Sequence, residues 1–411
     1  MDNMEFAIPA ENAPFRATKT EHWMLLLSYF AAYLYMEMFS RYDWILPIFA
    51  LIFIVAVEVR FCHRKAPWES RFWLLLMAFS SLAPFVCKNT VWEEEMAILF
   101  THVFAIYYVL TRGNLLLDGR TGHFLPLDAI WGGIVLPFSN FFLRIKVIGS
   151  LIRTSKKGNK MTIVWSLLAV VVALLLFYLA GLQLTKADSG FGTLFTNFFS
   201  DFWDSEVWFK LLFSLPVGAY LYGLVLGGGR QVPQTRQEKG NALGEQLTLL
   251  RRVPDGVWTG LMLAFVVLYG VFFYVQGSYL FGAFTRTLPE SFSVAEYARE
   301  GFFQLCLVMG ITFTLLWFAL RTAKNQKNLP LGIVSTILLA ENIGLAVTAA
   351  SKLWLYIDCF GFTPLRLQSA WLISVLTVGC ICAGVTLWTR KRTGRLWAML
   401  SAALLCALYF F

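Results

Sequence analysis

Charge is what this 411-residue chain has least of. Asp, Glu, Lys and Arg together make up 14% of it, and 58% is apolar; soluble globular proteins carry about a quarter charged residues. That balance excludes a soluble enzyme and a disordered chain alike. Cysteine is present but unorganised. The seven thiols form no C-x-x-C and no metal-ligand spacing, so zinc ribbons, iron–sulfur sites and dithiol redox centres are excluded. Most lie inside apolar runs, where cysteine behaves as a small hydrophobe. Cys87 and Cys359 are the one pair expected on a common outer face, where a disulfide could form. Also missing are G-x-x-x-x-G-K-[ST], H-E-x-x-H and G-x-S-x-G, along with the serine–lysine or paired-aspartate pattern of an intramembrane protease. No cofactor, metal or nucleic-acid site is expected.

What is present is apolar sequence, recurring from end to end. Runs at about 22–39, 44–59, 72–87, 96–111, 161–183, 208–227, 256–277, 294–320, 331–355, 366–389 and 395–411 have the length and composition of membrane helices. The fold class expected is therefore all-α, a polytopic transmembrane bundle of about eleven spans, forming a single integral membrane domain over residues 1–411. Residues 1–21 lack the pattern of a signal peptide, so insertion by the first hydrophobic helix is expected.

The basic residues define an orientation. Residues 1–21, 60–71, 112–160, 228–254, 321–330 and 390–395 hold 26 of the 34 Lys and Arg. The alternate connections hold the rest, so every segment falls where the positive-inside rule requires. The N-terminus is expected in the cytoplasm and the C-terminus outside, and the net charge of +9 is a consequence of this topology. Two cytoplasmic segments stand out. Within 112–160, residues 137–153 carry two apolar stripes at helical spacing, Phe138, Phe141, Phe142, Ile145, Ile148 and Ile152 on one side and Leu143, Val147 and Leu151 on the other. Arg144, Lys146 and Arg153 fall between them. This reads as an interfacial amphipathic helix wedged between bilayer and protein, and the basic residues that follow suit anionic lipid. The Gly- and Gln-rich 228–254 reads as a flexible cytoplasmic loop. The opposite side is acidic, with Glu93–Glu95 and Asp188, Asp201, Asp204 and Glu206.

Polar groups at membrane depth need partners. Ser293 and Glu296 have capping-box spacing, and Glu296, Glu300 and Gln304 then line one face of the following helix with Arg299 beside them. At the turn between the ninth and tenth runs, Gly361 suits a left-handed position, Thr363 an N-cap and Pro364 a first helical position. Arg366 would lie in a first turn, where the helix dipole opposes a cation. An outer polar cluster is therefore expected, Arg366 and Lys352 pairing with Asp358, Glu296 and Glu300. Glu341-Asn342 lies near the middle of the ninth run, where a charge costs about 2.5–3.5 kcal/mol. Lys352 follows three turns later on the same face, with Gly344 and Thr348 between. Such a stripe is what a proton or cation path needs; a hydrogen-bonded carboxyl with no path is the plainer reading. Glu37 and His102 are the other titratable groups within spans.

Two segments, P-E-x-x-S-x-A-E-Y-A-R-x-G-F over Pro289 to Phe302 and Y-x-x-x-x-G-x-T-x-x-R over Tyr356 to Arg366, resemble a family of bacterial polytopic membrane proteins of unknown function. The resemblance covers about the last two thirds of the chain. It implies an integral inner-membrane protein and no particular activity. Three readings follow for function. The first is a transport- or channel-like role along Glu341 to Lys352. The second is a non-enzymatic membrane component of a signalling or envelope-assembly complex, with the lipid bilayer and a protein partner as its contacts. The third is an enzyme on a lipid-linked substrate using Glu296 or Glu300.

Overall fold

The computed structural model describes residues 15, 17–39, 42–86, 94–122, 124–154, scattered positions from 168 to 197, 206–276, 302–325, 328–389, 391 and 393–408. It is all-α, 87% helical with no strands among the described residues. Among the described residues, seven helices are long and apolar enough to cross a membrane. The physical reason is plain: in hydrocarbon every backbone amide must be satisfied within its own segment, and a helix does that. The chain gathers into two compact units, residues 1–63 with 131–231, and residues 64–130 with 232–411.

In the first unit, α1 (Lys19–Glu37) starts at a capping box: the Thr18 hydroxyl accepts from the Glu21 amide and the Glu21 carboxylate from the Thr18 amide. It packs against α2 (Tyr42–Phe61) and most extensively against the helix that begins at Glu206. Residues 131–154 form a π-helical turn (Trp131–Val135), a short α-helix (Leu136–Ser139) and a longer one (Leu143–Thr154). The helix Glu206–Tyr222 holds Pro216 in its interior and continues through a π turn, Gly223–Gly227, to Arg230. Those glycines have a packing reason. A Cβ on Gly223 would stand 2.5 Å from the Pro137 carbonyl oxygen, and one on Gly227 would stand 2.6 Å from the Asn140 amide.

In the second unit, Trp68–Val86 and Glu94–Arg112 form a closely packed pair, and Gly394–Ala407 lies against the first of them. The other group is Asp255–Gln276, Phe302–Thr322, Leu329–Phe360 and Pro364–Thr389, with Leu329–Phe360 touching the other three. Their core is apolar and close-packed, around Met262, Met309, Leu338, Leu345, Ala349 and Cys380. One junction ties loops together. Val253 and Ala323 form an isolated parallel bridge, and the Asp255 carboxylate accepts from the Asn325 amide at 2.8 Å and the Asn328 side chain at 3.1 Å.

Two sequence expectations meet a different structure. Within 228–254, Pro233–Leu249 is a helix and not an irregular connector. Pro233 is in its first turn, its Gln, Glu, Lys, Arg and Leu content favours helix, and Arg236 pairs with Asp128 at 3.2 Å. Gly240 rests directly on the Leu117 carbonyl, where any side chain would collide. The amphipathic 137–153 is not continuous either; it breaks at Asn140, whose side chain donates to the Leu136 carbonyl. Leu125–Ser150 as a whole is also apolar enough to count among the crossing candidates. Its two-faced character does hold. Phe138, Phe142 and Ile145 are exposed, whereas Leu143 and Val147 are buried. Arg144, however, is not between the stripes. It points inward with Leu143 and is 5% exposed.

Candidate functional site

The four-helix group of the second unit holds a set of polar groups inside an apolar core. Each links two helices. Tyr269 and Thr312 share a hydrogen bond at 3.0 Å, the Ser335 hydroxyl meets the Met262 sulfur at 3.2 Å, and the Asn342 amide donates to Cys380 Sγ at 3.3 Å. At the centre is the helix Leu329–Phe360. Asn328 caps it by accepting from the Leu331 amide, Pro330 occupies its first turn, and Gly361 ends it at φ +75°. That backbone position essentially requires glycine, as expected from the sequence, and Pro364 then opens the next helix.

Glu341 and Asn342 both lie in the interior of this helix, but they face different neighbours. A helix turns about 100° per residue, so adjacent residues cannot share a direction. Asn342, fully buried, points to Cys380 on Pro364–Thr389. Glu341 points to Gly270 on Asp255–Gln276: a Cβ on that glycine would lie 4.0 Å from Glu341 Oε1. Glu341 Oε2 and Asn342 Oδ1 are buried atoms with no hydrogen-bond partner. In an apolar medium a polar atom left unpaired costs on the order of 1–3 kcal/mol, so each such atom calls for an explanation in strain, an ordered water or a functional role.

The stripe from Glu341 towards Lys352 is occupied. The Phe273 ring covers Gly344, where a Cβ would come within 3.0 Å of it. Thr348, one turn further, is buried and donates to the Gly344 carbonyl. Lys352 is half-buried and Asp358 exposed. Arg366 has found compensation for its place at a helix start. Its guanidinium donates to the Gly361 carbonyl and lies 4.0 Å from the centre of the Tyr356 ring. The C-terminal end of one helix thus neutralises a cation that the N-terminal end of the next disfavours. Glu296, Arg299 and Glu300, with the capping box at Ser293, lie outside the described residues. Cys359 is a free thiol, and Cys87 lies outside the described residues.

Several polar groups escaped the sequence reading. Glu21 is buried and takes a bidentate pair from Arg230, Nε and Nη2 both at 2.8 Å. Glu69 is buried too, pairing with Arg395 at 2.6 Å while accepting the Thr121 amide at 2.7 Å. Glu37, noted within a span, pairs with Lys210 at 2.9 Å. The T-x-x-E at Thr18–Glu21 was the one local signal available for any of these. Among the described residues no group of His, Cys, Asp and Glu is arranged to hold a metal.

Crossing-length apolar helices, an almost wholly helical set of described residues and buried polar cross-links between helices define a multi-pass α-helical membrane protein. A family model, the domain of unknown function DUF4153, matches residues 24–411, and the chain belongs to that family. No curated protein and no solved structure matches it.

Proposed function

We propose that the chain has a transport-type role, with Glu341 as the group that takes up a proton or small cation within the helix group 255–389. The observation that carries this reading is the Glu341 carboxyl itself, held between two membrane-crossing helices with a buried oxygen that no protein donor satisfies. Titratable groups at that depth are expensive and mark ion pathways more often than packing. The carboxyl faces Gly270 on the neighbouring helix, where an added Cβ would stand in ordinary contact at 4.0 Å from Oε1. Phe273 over Gly344 then acts as the barrier between Glu341 and the end of the helix at Lys352. We take the membrane to be the bacterial cytoplasmic membrane with the N-terminus inside, on the distribution of Lys and Arg, and the basic connections to rest on anionic lipid.

The test is flux. Full-length protein in liposomes should carry protons or monovalent cations above the level of empty liposomes, and Glu341→Gln should abolish this while leaving the unfolding midpoint in detergent within a few degrees. Flux unchanged in Glu341→Gln would overturn the reading. The filled stripe beneath Phe273 favours a second reading, a non-transporting membrane component of an envelope or signalling complex. Liposomes that stay silent, with Glu341→Leu more stable than wild type, would support it.

A further inference from the structure

The first unit carries a second polar cluster, unrelated to Glu341. Four elements bring charged side chains around Tyr222. They are Glu21 at the start of α1, Arg60 at the end of α2, Arg144 from Leu143–Thr154, and Arg230 at the end of the helix from Glu206. Tyr222 lies within electrostatic reach of all four charges, and its hydroxyl donates to the Glu21 carbonyl at 2.8 Å. The Glu21 carboxylate is already taken. Both of its oxygens receive Arg230, and one also receives the Thr18 amide. Arg60 reaches it only at 3.9 Å.

Arg144 is therefore left without a counter-charge, and Arg60 is only distantly paired through Nη2. Arg144 is 5% exposed, and its only hydrogen bond among the described residues is from Nη1 to the Leu215 carbonyl at 3.0 Å. Its guanidinium rests on the Tyr29 ring, 3.7 Å from the centroid. Arg144 Nε, Arg144 Nη2 and Arg60 Nε are buried with no partner. The backbone is shaped to admit both groups. Gly218 leaves space for Arg144, since a Cβ there would stand 2.6 Å from Nη1, and Gly229 does the same for the Arg60 guanidinium. A guanidinium cannot shed its charge, and a buried charge with no counter-charge costs several kcal/mol.

We infer that Arg60 and Arg144, around Tyr222, form a binding site for a phosphate-bearing anion. The planar fork of a guanidinium matches phosphate oxygens, and three unused buried nitrogen donors from two arginines suit one tetrahedral anion. Arg60, with 20% of its side chain exposed, is the open edge of the site, and Arg144 is its inner wall. The phosphate can come from a lipid head group or from solution, because the chemistry is the same.

The experiment uses the full chain, delipidated in maltoside micelles, and reads the thermal unfolding midpoint. Inorganic phosphate, phosphatidylglycerol and chloride at matched ionic strength are the three additions. A rise of a few degrees with inorganic phosphate supports a site open to free phosphate. A rise with phosphatidylglycerol alone assigns it to a lipid head group. Arg144→Gln should remove either rise. Should that variant fail to fold, the more exposed Arg60→Gln serves the same purpose. An equal rise with chloride, no rise with any addition, or a rise that survives in a folded variant overturns the proposal and leaves Arg144 as a structural arginine stacked on Tyr29.

Discussion

Glu21 offers the sharpest test of how the first unit is held. The Arg230 fork and the Thr18 amide meet on this one buried carboxylate. Breaking a buried ion pair costs roughly 3–5 kcal/mol, because the surviving partner is left uncompensated. Here Arg230 keeps 30% and Arg60 20% of their side chains exposed, so both recover some hydration, and about 2–3 kcal/mol is the better figure. Glu21→Gln isolates this loss, since glutamine still serves in a capping box. Glu21→Ala also removes the acceptor of the Thr18 amide, leaving the Thr18 cap itself in place, and should cost about 1 kcal/mol more. Adding Arg230→Gln to Glu21→Gln should return part of the loss, as no unpaired fork remains. Denaturant unfolding in mild detergent, followed by tryptophan fluorescence, measures all three variants against wild type. A Glu21→Gln protein within about 0.5 kcal/mol of wild type would refute the reasoning. The same carboxylate sets a pH dependence. Burial works against its charged form, but the Arg230 hydrogen bonds, the Thr18 amide and the charges of Arg230 and Arg60 outweigh it, so its pKa lies below the ordinary glutamate value. The stability it contributes is thus complete at neutral pH and is lost as the pH falls through that lowered value. Glu21→Gln should flatten this acid limb.

Three further outcomes are expected. Gly223→Val should abolish folded yield in membranes or cost more than about 2 kcal/mol, because its side chain meets the Pro137 backbone, which cannot give way; size-exclusion profiles would report this. Gly361→Ala should lose roughly 1–2 kcal/mol to left-handed strain, and Arg366→Ala about 1 kcal/mol through the lost bond to Gly361 and the Tyr356 ring, both read as unfolding midpoints. Asp255→Ala should release the bridge between Val253 and Ala323, costing about 1–2 kcal/mol and speeding protease cleavage at 250–254 and 323–328.

Helix positions were legible because the signal for them is strong. An apolar run of membrane length has few alternatives, and Asn328, Gly361 and Pro364 punctuate one helix and open the next by rules of backbone geometry alone. The polar cross-links were not legible, and the reason is general. Glu21 and Arg230 are distant in sequence and meet only because α1 packs along the helix that begins at Glu206; no local pattern encodes that neighbour. Glu341 and Asn342 are adjacent in sequence, which suggested one site, yet their helix sends one towards Gly270 and the other towards Cys380. The loop expected at 228–254 is instead largely helical, because Gly240 does not break the chain there but is the point of contact with the Leu117 carbonyl.

Arg144 shows where hydrophobic patterning stops being informative. In a soluble protein an apolar stripe faces the core, and a charge flanking it faces water. In a membrane protein both stripes of 137–153 can be satisfied, one by lipid and one by protein, so the pattern of apolar residues does not say which side is inside. Only the cost of the polar residue distinguishes the two. A guanidinium facing hydrocarbon has neither acceptors nor rings, whereas one turned inward has the Leu215 carbonyl and the Tyr29 face. Arg144 therefore goes with Leu143 and Val147, away from exposed Phe142 and Ile145. The same argument requires that the inward side supply more than one carbonyl and one ring for a full charge. That requirement makes the Arg144 nitrogens, rather than the acidic segments, the place to look first for a ligand.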